Sequence, residues 1–389
     1  MWKFRIIIFS SLLSFSFLFA GEMDILLEKL IKKGVLTKEE AKEIKEEVKK
    51  EKEKEKYSFL KDTKFSGDLR IRYQRDNIEG EPHRDRERFR GRFGFKTNIG
   101  ENTEVGMRLA TGVGEQTSTN QTFENAFSQK NIWIDRFYVK HRISDFGIIA
   151  GKMENPFYCT DMIWDSDINP EGIAFTYQKN NFFTNLGVFI LDEFKSSTDD
   201  PMLYSFQIGY KGKIIERDFK IGFGLYLTDS LKNKKQDDIS PNYKPKGNTL
   251  TSDGKYSYEY KPLSIPIEFT VFEVANKSFK LYGEYIRNIE SGVSENEGYL
   301  IGFTFGKLKE KGDWEFGYNY RKIEGDATLA ILSDSDINGG GTSLKGHKIS
   351  FGYQVSKNSS FGITYFIGQP LSPRTDKRNT LQIDYLIKF

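Results

Sequence analysis

Apolar and polar side chains alternate with a period of two at the end of this chain, and few folds accommodate that pattern. Leu381, Ile383, Tyr385, Ile387 and Phe389 fall on one face of a predicted strand, and mostly polar residues fall on the other. Successive side chains of a β-strand point to opposite faces, so one face is predicted to meet lipid and the other water. The same alternation recurs through most of the chain from Thr63 onward.

This alternation predicts a transmembrane antiparallel β-barrel of about sixteen strands across residues 57–389. Clear strands are predicted at 65–73, 89–95, 105–109, 219–227, 279–285, 314–320, 349–355 and 361–367. Alternate connections are short, at 99–102, 144–145, 179–181, 275–277 and 357–359, whereas the connections at 112–130, 152–170, 230–255 and 323–345 are long and polar. A soluble β-sandwich would also alternate, but it would not explain short turns at one end and long loops at the other.

Residues 1–20 are predicted to be a secretory signal peptide. Lys3 and Arg5 precede a nearly unbroken apolar run from Ile6 to Phe19, and Ala20 and Gly21 supply a cleavage site of small residues. The alternative, an uncleaved membrane anchor, is less favoured because a spanning helix needs about 20 apolar residues. The sequence therefore predicts export, with the barrel in the bacterial outer membrane.

Composition limits the partners that the chain can have. The 58 Lys and Arg nearly balance the 55 Asp and Glu, which gives no support to a nucleic-acid partner. The 33 Phe and 20 Tyr suit a surface in contact with outer-membrane lipid. Cys159 is the sole cysteine, so no intrachain disulfide can form.

Residues 21–56 are predicted to form a separate periplasmic helical hairpin or coiled coil. An apolar stripe at Leu26, Leu27, Leu30 and Ile31 ends at Gly34, and Thr37 with Glu40 predicts a capping box at the start of a second helix. The stripe lasts only about two heptads, which favours a solvated spacer. A small module for oligomerisation or cell-wall contact is the alternative.

Six arginines are predicted to lie on the inner face of the first three strands: Arg70, Arg72, Arg88, Arg90, Arg92 and Arg108. Adjacent strands lie about 4.8 Å apart, so the guanidinium groups would form a ladder on one patch of the wall. Such a ladder is costly unless it lines water or meets acids. We interpret it as pore lining, and the alternative is ordinary pairing with Asp68, Glu104 and other acids.

Catalytic, metal and cofactor sites are not predicted. His83, His141 and His347 fall at scattered positions without zinc spacing, and no Gly-x-Ser-x-Gly motif occurs. Asp165, Asp167 and Asn169 imitate the start of a calcium loop, but Pro170 stands where that loop requires glycine. An outer-membrane enzyme that assembles its site from scattered strands stays a distant alternative.

Several segments resemble known outer-membrane proteins. The alternating end with Tyr385 and terminal Phe389 resembles the signal that barrel assembly machinery reads on bacterial porins. The motifs GKMENPF at 151–157 and WDSDINPEG at 164–172, the LLEKLIKKGVLTKEEAKEIKEE segment and the FSGDLRIRYQ strand are similar to those of a bacterial "putative porin" family. The resemblance covers essentially the whole chain after the predicted signal peptide.

That resemblance implies a sixteen-stranded channel for small hydrophilic solutes and ions. It also implies that the loop at about 152–172, between the fifth and sixth strands, folds inward and places Asp161, Asp165 and Asp167 at a constriction. The alternative is an external cap beside the pore. A homotrimer is an expectation from general porins alone, and the rival function is a surface-binding barrel, an adhesin or receptor with a blocked lumen.

Overall fold

The computed structural model describes residues 27–56, 61–195 and 198–389. The described residues divide into two compact units, with the boundary between Asp62 and Thr63. The predicted signal peptide at 1–20 lies outside the described residues, as does Leu26. None of the helices that the structure describes is long and apolar enough to span a membrane.

In the first unit, helix α1 covers residues 27–32 of the described part, and helix α2 runs over Lys38–Lys56. The backbone amide of Thr37 donates to a carboxylate oxygen of Glu40 at 2.8 Å, and the Glu40 amide donates to Thr37 Oγ1 at 3.2 Å. These reciprocal bonds form the predicted capping box, which satisfies two amides at the start of α2. Leu27 and Ala41 are buried.

The second unit is a closed antiparallel barrel. Within the described residues its sixteen strands are β1 Lys64–Ile78, β2 Arg84–Ile99, β3 Thr103–Thr111, β4 Ile132–Ile143, β5 Phe146–Lys152, β6 Glu171–Lys179, β7 Phe182–Ile190, β8 Met202–Ile214, β9 Arg217–Asp229, β10 Pro262–Val274, β11 Lys277–Asn288, β12 Glu297–Gly306, β13 Trp314–Ile323, β14 Leu344–Ser356, β15 Ser359–Pro370 and β16 Arg378–Lys388. Each strand pairs with its sequence neighbours, and β16 pairs with β1 to close the barrel. The short segment Gln121–Thr122 also pairs with β2.

Burial in the barrel is the reverse of that in a soluble protein. Leu69, Ile71 and Phe93 are about half exposed on the outer face, whereas Arg72 and Gln74 are buried on the inner face. The period of two in the sequence therefore separates an apolar outside from a polar inside, as a barrel in lipid requires. The sixteen-stranded architecture predicted from the alternation is confirmed.

The two ends of the barrel differ in their connections. Most turns at one end are tight, at 100–102, 144–145, 180–181, 215–216, 275–276 and 357–358, and the long loops 112–131, 153–170, 230–261 and 324–343 lie at the other end. Two boundaries differ from those predicted from the sequence. The loop predicted at 230–255 extends to residue 261, and it contains a short helix at Gln236–Ile239 and isolated β-bridges before β10 begins. Strand β14 begins at Leu344, five residues before the predicted start.

Candidate functional site

The arginines of β1 and β2 face each other across one strand pair. Arg70 lies opposite Arg90, and Arg72 lies opposite Arg88 in the antiparallel register. All four share the inward parity of their strands, so like charges meet directly across the ladder. Such pairs destabilise a sheet unless counter-charges or water relieve the repulsion.

Carboxylates of the wall relieve part of this repulsion. Asp68 accepts hydrogen bonds from Arg90 Nη2 at 2.7 Å and from Arg92 Nε at 2.6 Å. Arg72 donates from Nε and Nη2 to the two oxygens of Asp384 at 2.7 and 2.8 Å. The planar two-point contact of Arg72 with Asp384 is among the strongest protein hydrogen-bond arrangements, and the charge-assisted bonds of Arg90 and Arg92 to Asp68 also fix these two groups to the wall.

A third wall acid, Asp76, binds two further arginines nearer the long loops. Asp76 is buried and lies 2.6 Å from Arg86 and 2.8 Å from Arg378, and it accepts a hydrogen bond from Thr380. Neither Arg86 nor Arg378 was among the predicted pore residues. The inward parity of β2 could have revealed Arg86, which precedes Arg88 by two positions.

The loop 153–170 contacts inner-face side chains of several strands. Gln207 of β8 donates to the carbonyl of Tyr158 at 2.6 Å and accepts from its backbone amide at 2.8 Å. Asn185 of β7 donates to the carbonyl of Pro156 at 2.8 Å. Glu284 of β11 accepts from the Thr160 amide at 2.9 Å and also from the Thr160 hydroxyl. These bonds hold the loop against the inner wall from β7 to β11.

Apolar packing reinforces that attachment. Met162, Trp164 and Ile168 of the loop are buried in one cluster with wall residues such as Phe189 and Tyr226. Phe157 makes edge-to-face contacts with both Phe189 and Tyr226, with ring centroids 6.2 and 5.5 Å apart. An apolar inner wall on one side of the barrel thus supports a loop whose polar side faces the arginines.

The three predicted loop acids have different partners. Asp167 lies 3.3 Å from Arg92. Asp161 lies 3.2 Å from Arg321 of β13 and 3.7 Å from Lys348 of β14, on a different part of the wall. Asp165 accepts backbone amide bonds from Asp167 at 2.8 Å and from Ser335 at 3.3 Å.

Two further loops contribute polar groups that sequence reasoning missed. Loop 324–343 supplies Asp334, which lies 2.9 Å from Arg321, and Asp336, which accepts from Gln382 at 2.9 Å. Loop 112–131 supplies Glu115 and also Asn120, which accepts from Arg70 Nη2 at 2.6 Å. Loops carry no periodic signal, so no pattern in the sequence pointed to these residues.

A cavity of about 290 Å³ lies between the arginine wall and these loops, and we call it the eyelet cavity. Four predicted arginines and all three predicted aspartates line it, together with residues of the two additional loops and of β14 and β16. The lining is Arg70, Arg72, Gln74, Arg86, Arg88, Arg90, Glu115, Thr117, Ser118, Asn120, Asp161, Asp165, Ser166, Asp167, Tyr243, Asp334, Ser335, Asp336, Gly339, Lys348, Arg378 and Thr380.

Two of the predicted arginines lie outside this lining. Arg92 is held between Asp68 and Asp167, and Arg108 forms an ion pair with Asp135 of β4. Arg92 is thus paired with one wall acid and one loop acid, and Arg108 with a wall acid. The contacts of these two arginines therefore match the alternative interpretation, in which the arginines pair with acids of the wall. Glu104, one of the acids named in that alternative, instead accepts a hydrogen bond from Tyr138.

Crowding changes the acidity of the loop carboxyl groups. Burial raises the pKa of Asp334 to about 6, and the nearby Arg321 opposes this rise. Burial also raises the pKa of Asp165 well above the usual carboxyl range, and the charges of Asp334 and Asp167 add to the rise. Burial acts in the same direction on Asp161, but Lys348 and Arg321 outweigh it and lower the pKa of that group.

The residues that could indicate a metal site or a reactive thiol do not form one among the described residues. Asn169 accepts from Arg136 at 2.7 Å and donates to Asp135 at 2.9 Å, so its amide belongs to the wall network. In the described part of the chain no group of three or more acidic, histidine or cysteine side chains could hold a metal ion. Burial raises the pKa of the Cys159 thiol, which makes it a poor nucleophile.

The end of the chain lies at the barrel seam. Phe389 and Gly67 exchange backbone hydrogen bonds at 2.8 and 3.1 Å. A Cβ atom at position 67 would lie 2.6 Å from the Phe389 ring, so glycine makes room for that ring on the outer face. Tyr385 lies opposite Ile71 in the same seam, and its side chain is exposed.

Comparisons with known proteins agree with this architecture. The sequence model of a family described as "Putative porin" matches residues 78–259 and 259–389. No curated protein sequence matches the chain.

Solved porin structures share the fold at low sequence identity. OprB of Pseudomonas putida is 10% identical, with a TM-score of 0.58, over 85% of this chain and 96% of that chain. OmpF of Salmonella typhi, in complex with daunomycin, is 10% identical, with a TM-score of 0.53, over 84% and 97%. The trimer form of OmpT, an outer-membrane protein of Vibrio cholerae, is 10% identical, with a TM-score of 0.51, over 84% and 99%.

Proposed function

The chain belongs to this "Putative porin" family and is an outer-membrane porin, and we propose that small hydrophilic solutes and ions diffuse passively through its eyelet cavity. The observation that supports this proposal most directly is the cavity itself. It lies inside the barrel, and every residue of its lining except Gly339 has a polar side chain. A polar, charge-lined lumen lowers the cost of bringing ions and hydrated solutes across the membrane.

We propose that loop 153–170 sets the width of the channel, as the resemblance to general porins implies. In support, the loop is attached to the inner wall through Gln207 and Glu284, and its apolar side is buried. In this arrangement Asp161, Asp165 and Asp167 form one side of a constriction, and Arg70, Arg72, Arg88 and Arg90 form the other.

We propose a weak preference for anions. The lining contains seven basic and six acidic side chains, so the net charge at the eyelet cavity is small. Arg92 and Arg108 add positive charge behind the wall but are neutralised by adjacent acids. Opposed charges produce a strong field across the cavity and little net selectivity along it.

Three further assignments complete the proposal. The apolar outer face contacts outer-membrane lipid, and the helical segment at residues 21–56 lies in the periplasm. The barrel assembly machinery reads the end of the chain at Tyr385 and Phe389. A homotrimer is proposed because a solved structure of similar fold, OmpT of Vibrio cholerae, has a trimer form.

The test is conductance of the purified, heat-modifiable protein in a planar lipid bilayer containing KCl. A channel gives stable, stepwise, ohmic increments as single barrels insert. A barrel whose lumen is blocked, as in the rival adhesin or receptor, inserts without conducting. The reversal potential in a KCl gradient then measures the proposed anion preference.

A further inference from the structure

We infer that the eyelet cavity selects zwitterionic solutes of the α-amino acid class, with the carboxylate of the solute at Arg70 and Arg88 and its ammonium group at the acids of the facing loops. This inference rests on the proposed channel function and adds a substrate class to it. It follows from the charges of the cavity that remain uncompensated by the protein.

The uncompensated positive charges belong to Arg70 and Arg88. Within the described residues, the side chains that accept hydrogen bonds from these groups are neutral amides: Asn120 for Arg70 at 2.6 Å and Gln74 for Arg88 at 2.9 Å. The Nε atoms of both arginines are buried and have no hydrogen-bond partner in that part of the chain. A buried cationic donor without an anion is costly, and a carboxylate with two oxygens matches its geometry.

The uncompensated negative charges come from two loops. Glu115 accepts from the hydroxyl of Thr117 at 2.9 Å, and Asp336 accepts from the amide of Gln382 at 2.9 Å. Neither carboxylate forms an ion pair with the residues that the structure describes. Asp165 of the third loop, 153–170, is buried and its pKa is raised, which favours the neutral form, so it supplies a polar group to the lining.

The other charges of the lining are already paired. Arg72 pairs with Asp384, Arg90 with Asp68, and Lys348 with Asp161. Arg86 and Arg378 share Asp76, while Asp167 and Asp334 pair with Arg92 and Arg321. The field across the cavity therefore arises mainly from Arg70 and Arg88 on one side and from Glu115 and Asp336 on the other. One further positive charge remains where Arg86 and Arg378 share the carboxylate of Asp76.

A solute that carries both charges satisfies both sides at once. An anion alone would bind the arginines but would be repelled by Glu115 and Asp336, and a cation alone would be repelled by the arginines. At about 290 Å³ the cavity lies at the lower end of the range of small-molecule sites, which suits a small solute. Backbone amides and side-chain amides fix the charged groups, so little reorganisation is needed when the solute enters.

Four molecules of nearly equal size separate the effect of charge from that of shape. Alanine is zwitterionic, lactamide is neutral, lactate is an anion, and alaninamide is a cation at low pH. Uptake of each radiolabelled solute is measured in proteoliposomes containing the wild-type protein. We expect alanine at low concentration to enter at least about threefold faster than lactamide, because a complementary field raises the local solute concentration.

The variants Arg88→Gln and Asp336→Asn should each reduce the alanine-to-lactamide ratio towards one. Arg287→Gln is the matched control, since Arg287 is exposed and pairs with Glu297 at 3.6 Å, away from the cavity lining. A second measurement needs no variant: alanine should reduce the KCl current of the wild-type channel, and lactamide at the same concentration should not.

Equal uptake of alanine and lactamide by a protein that conducts KCl would overturn the zwitterion inference and leave the channel function intact. Faster uptake of lactate than of alanine would overturn it in favour of a simple anion site. Absence of KCl conductance from folded, inserted barrels would instead contradict the proposed channel function itself.

Discussion

Arg72 and Asp384 are direct partners across the seam that closes the barrel, and they are joined by two parallel hydrogen bonds of 2.7 and 2.8 Å. Both side chains are largely buried, with 7% and 20% of their surface exposed. The pair thus joins the first strand to the last, and its Arg72 also lines the eyelet cavity.

Replacing Asp384 with Asn should destabilise the barrel by about 3 kcal/mol, because it leaves the Arg72 guanidinium buried without a counter-charge. The measurement is the temperature at which the folded band is lost on a heat-modifiability gel. Asp85→Asn is the control, since Arg75 and Asp85 are also cross-strand partners with bonds of 2.7 and 3.0 Å. That pair is exposed, so its loss should lower the unfolding temperature much less than the loss of the Arg72–Asp384 pair. Equal effects of the two substitutions would contradict the importance of burial at the seam.

Charge selectivity should depend most on arginines that lack an acidic partner. Arg88→Gln is expected to shift the reversal potential towards cations by several millivolts, against a limit of about 59 mV for ideal selectivity in a tenfold KCl gradient. Arg108→Gln should shift it less, because Arg108 pairs with Asp135. Higher salt should weaken both effects through screening. If the two substitutions shift the potential equally, pairing does not govern selectivity.

Replacing Asp161, Asp165 and Asp167 together should shift the reversal potential towards anions. The physical reason is the loss of negative charge facing the arginines of β1 and β2. A folded variant with unchanged conductance and selectivity would show that loop 153–170 does not form the filter. The triple neutralisation of Arg88, Arg90 and Arg92 provides the comparison with the opposite expected sign.

Acidification should increase anion selectivity in the range around pH 6. The pKa of Asp334 is raised to about 6 and that of Asp165 is also raised, both by burial first. As the pH falls through about 6, the Asp334 carboxyl group becomes neutral, and fewer negative charges oppose the arginine wall. The folded state binds this proton more tightly than the unfolded chain, so the same acidification favours folding at Asp334. Reversal potentials at pH 8 and pH 5, wild type against Asp334→Asn, test this, and the variant should show the smaller change.

Deleting Phe389 should impair assembly of the barrel in the outer membrane. The residue exchanges backbone bonds with Gly67, and its ring lies 6.5 Å from that of Phe93 on the outer face. Deletion of Phe127, a fully exposed residue in loop 112–131, is the control. Membrane fractionation with heat-modifiability measures assembly, and normal insertion without Phe389 would refute the proposed signal. Removal of Glu22–Lys56 with the signal peptide retained should, by contrast, leave a conducting barrel.

The fold could be predicted from the sequence because alternate residues of each strand face lipid and the lumen, which gives apolar and polar residues a period of two. The alternation of Phe89, Gly91 and Phe93 with Arg88, Arg90 and Arg92 identified both the outer face and the charged wall. Backbone pairing in a barrel is set by that parity together with short turns. Strand boundaries were less predictable. The start of β14 was predicted five residues too late, because residues 344–348 do not alternate clearly between apolar and polar.

The site was only partly predictable, because its pairs join residues that are distant in sequence. Arg321 and Asp161 are 160 positions apart, and Asp384 pairs with an arginine of the first strand. Asp334, Asp336 and Glu115 lie in loops, whose folded position depends on packing against other loops and not on a local pattern. Sequence parity indicates which charges point inward but not which of them neutralise each other.

The seam also constrains the order of events during biogenesis. Arg72 and Asp384 are separated by 312 positions, so β1 cannot pair with β16 until nearly the whole chain has been exported. Bringing such distant segments together carries a loop-closure cost, and contacts of this range slow folding. Until β16 arrives, two strand edges stay open to pairing with other chains. A delay in pairing β16 with β1 would therefore favour aggregation of the unclosed barrel over its insertion into the membrane.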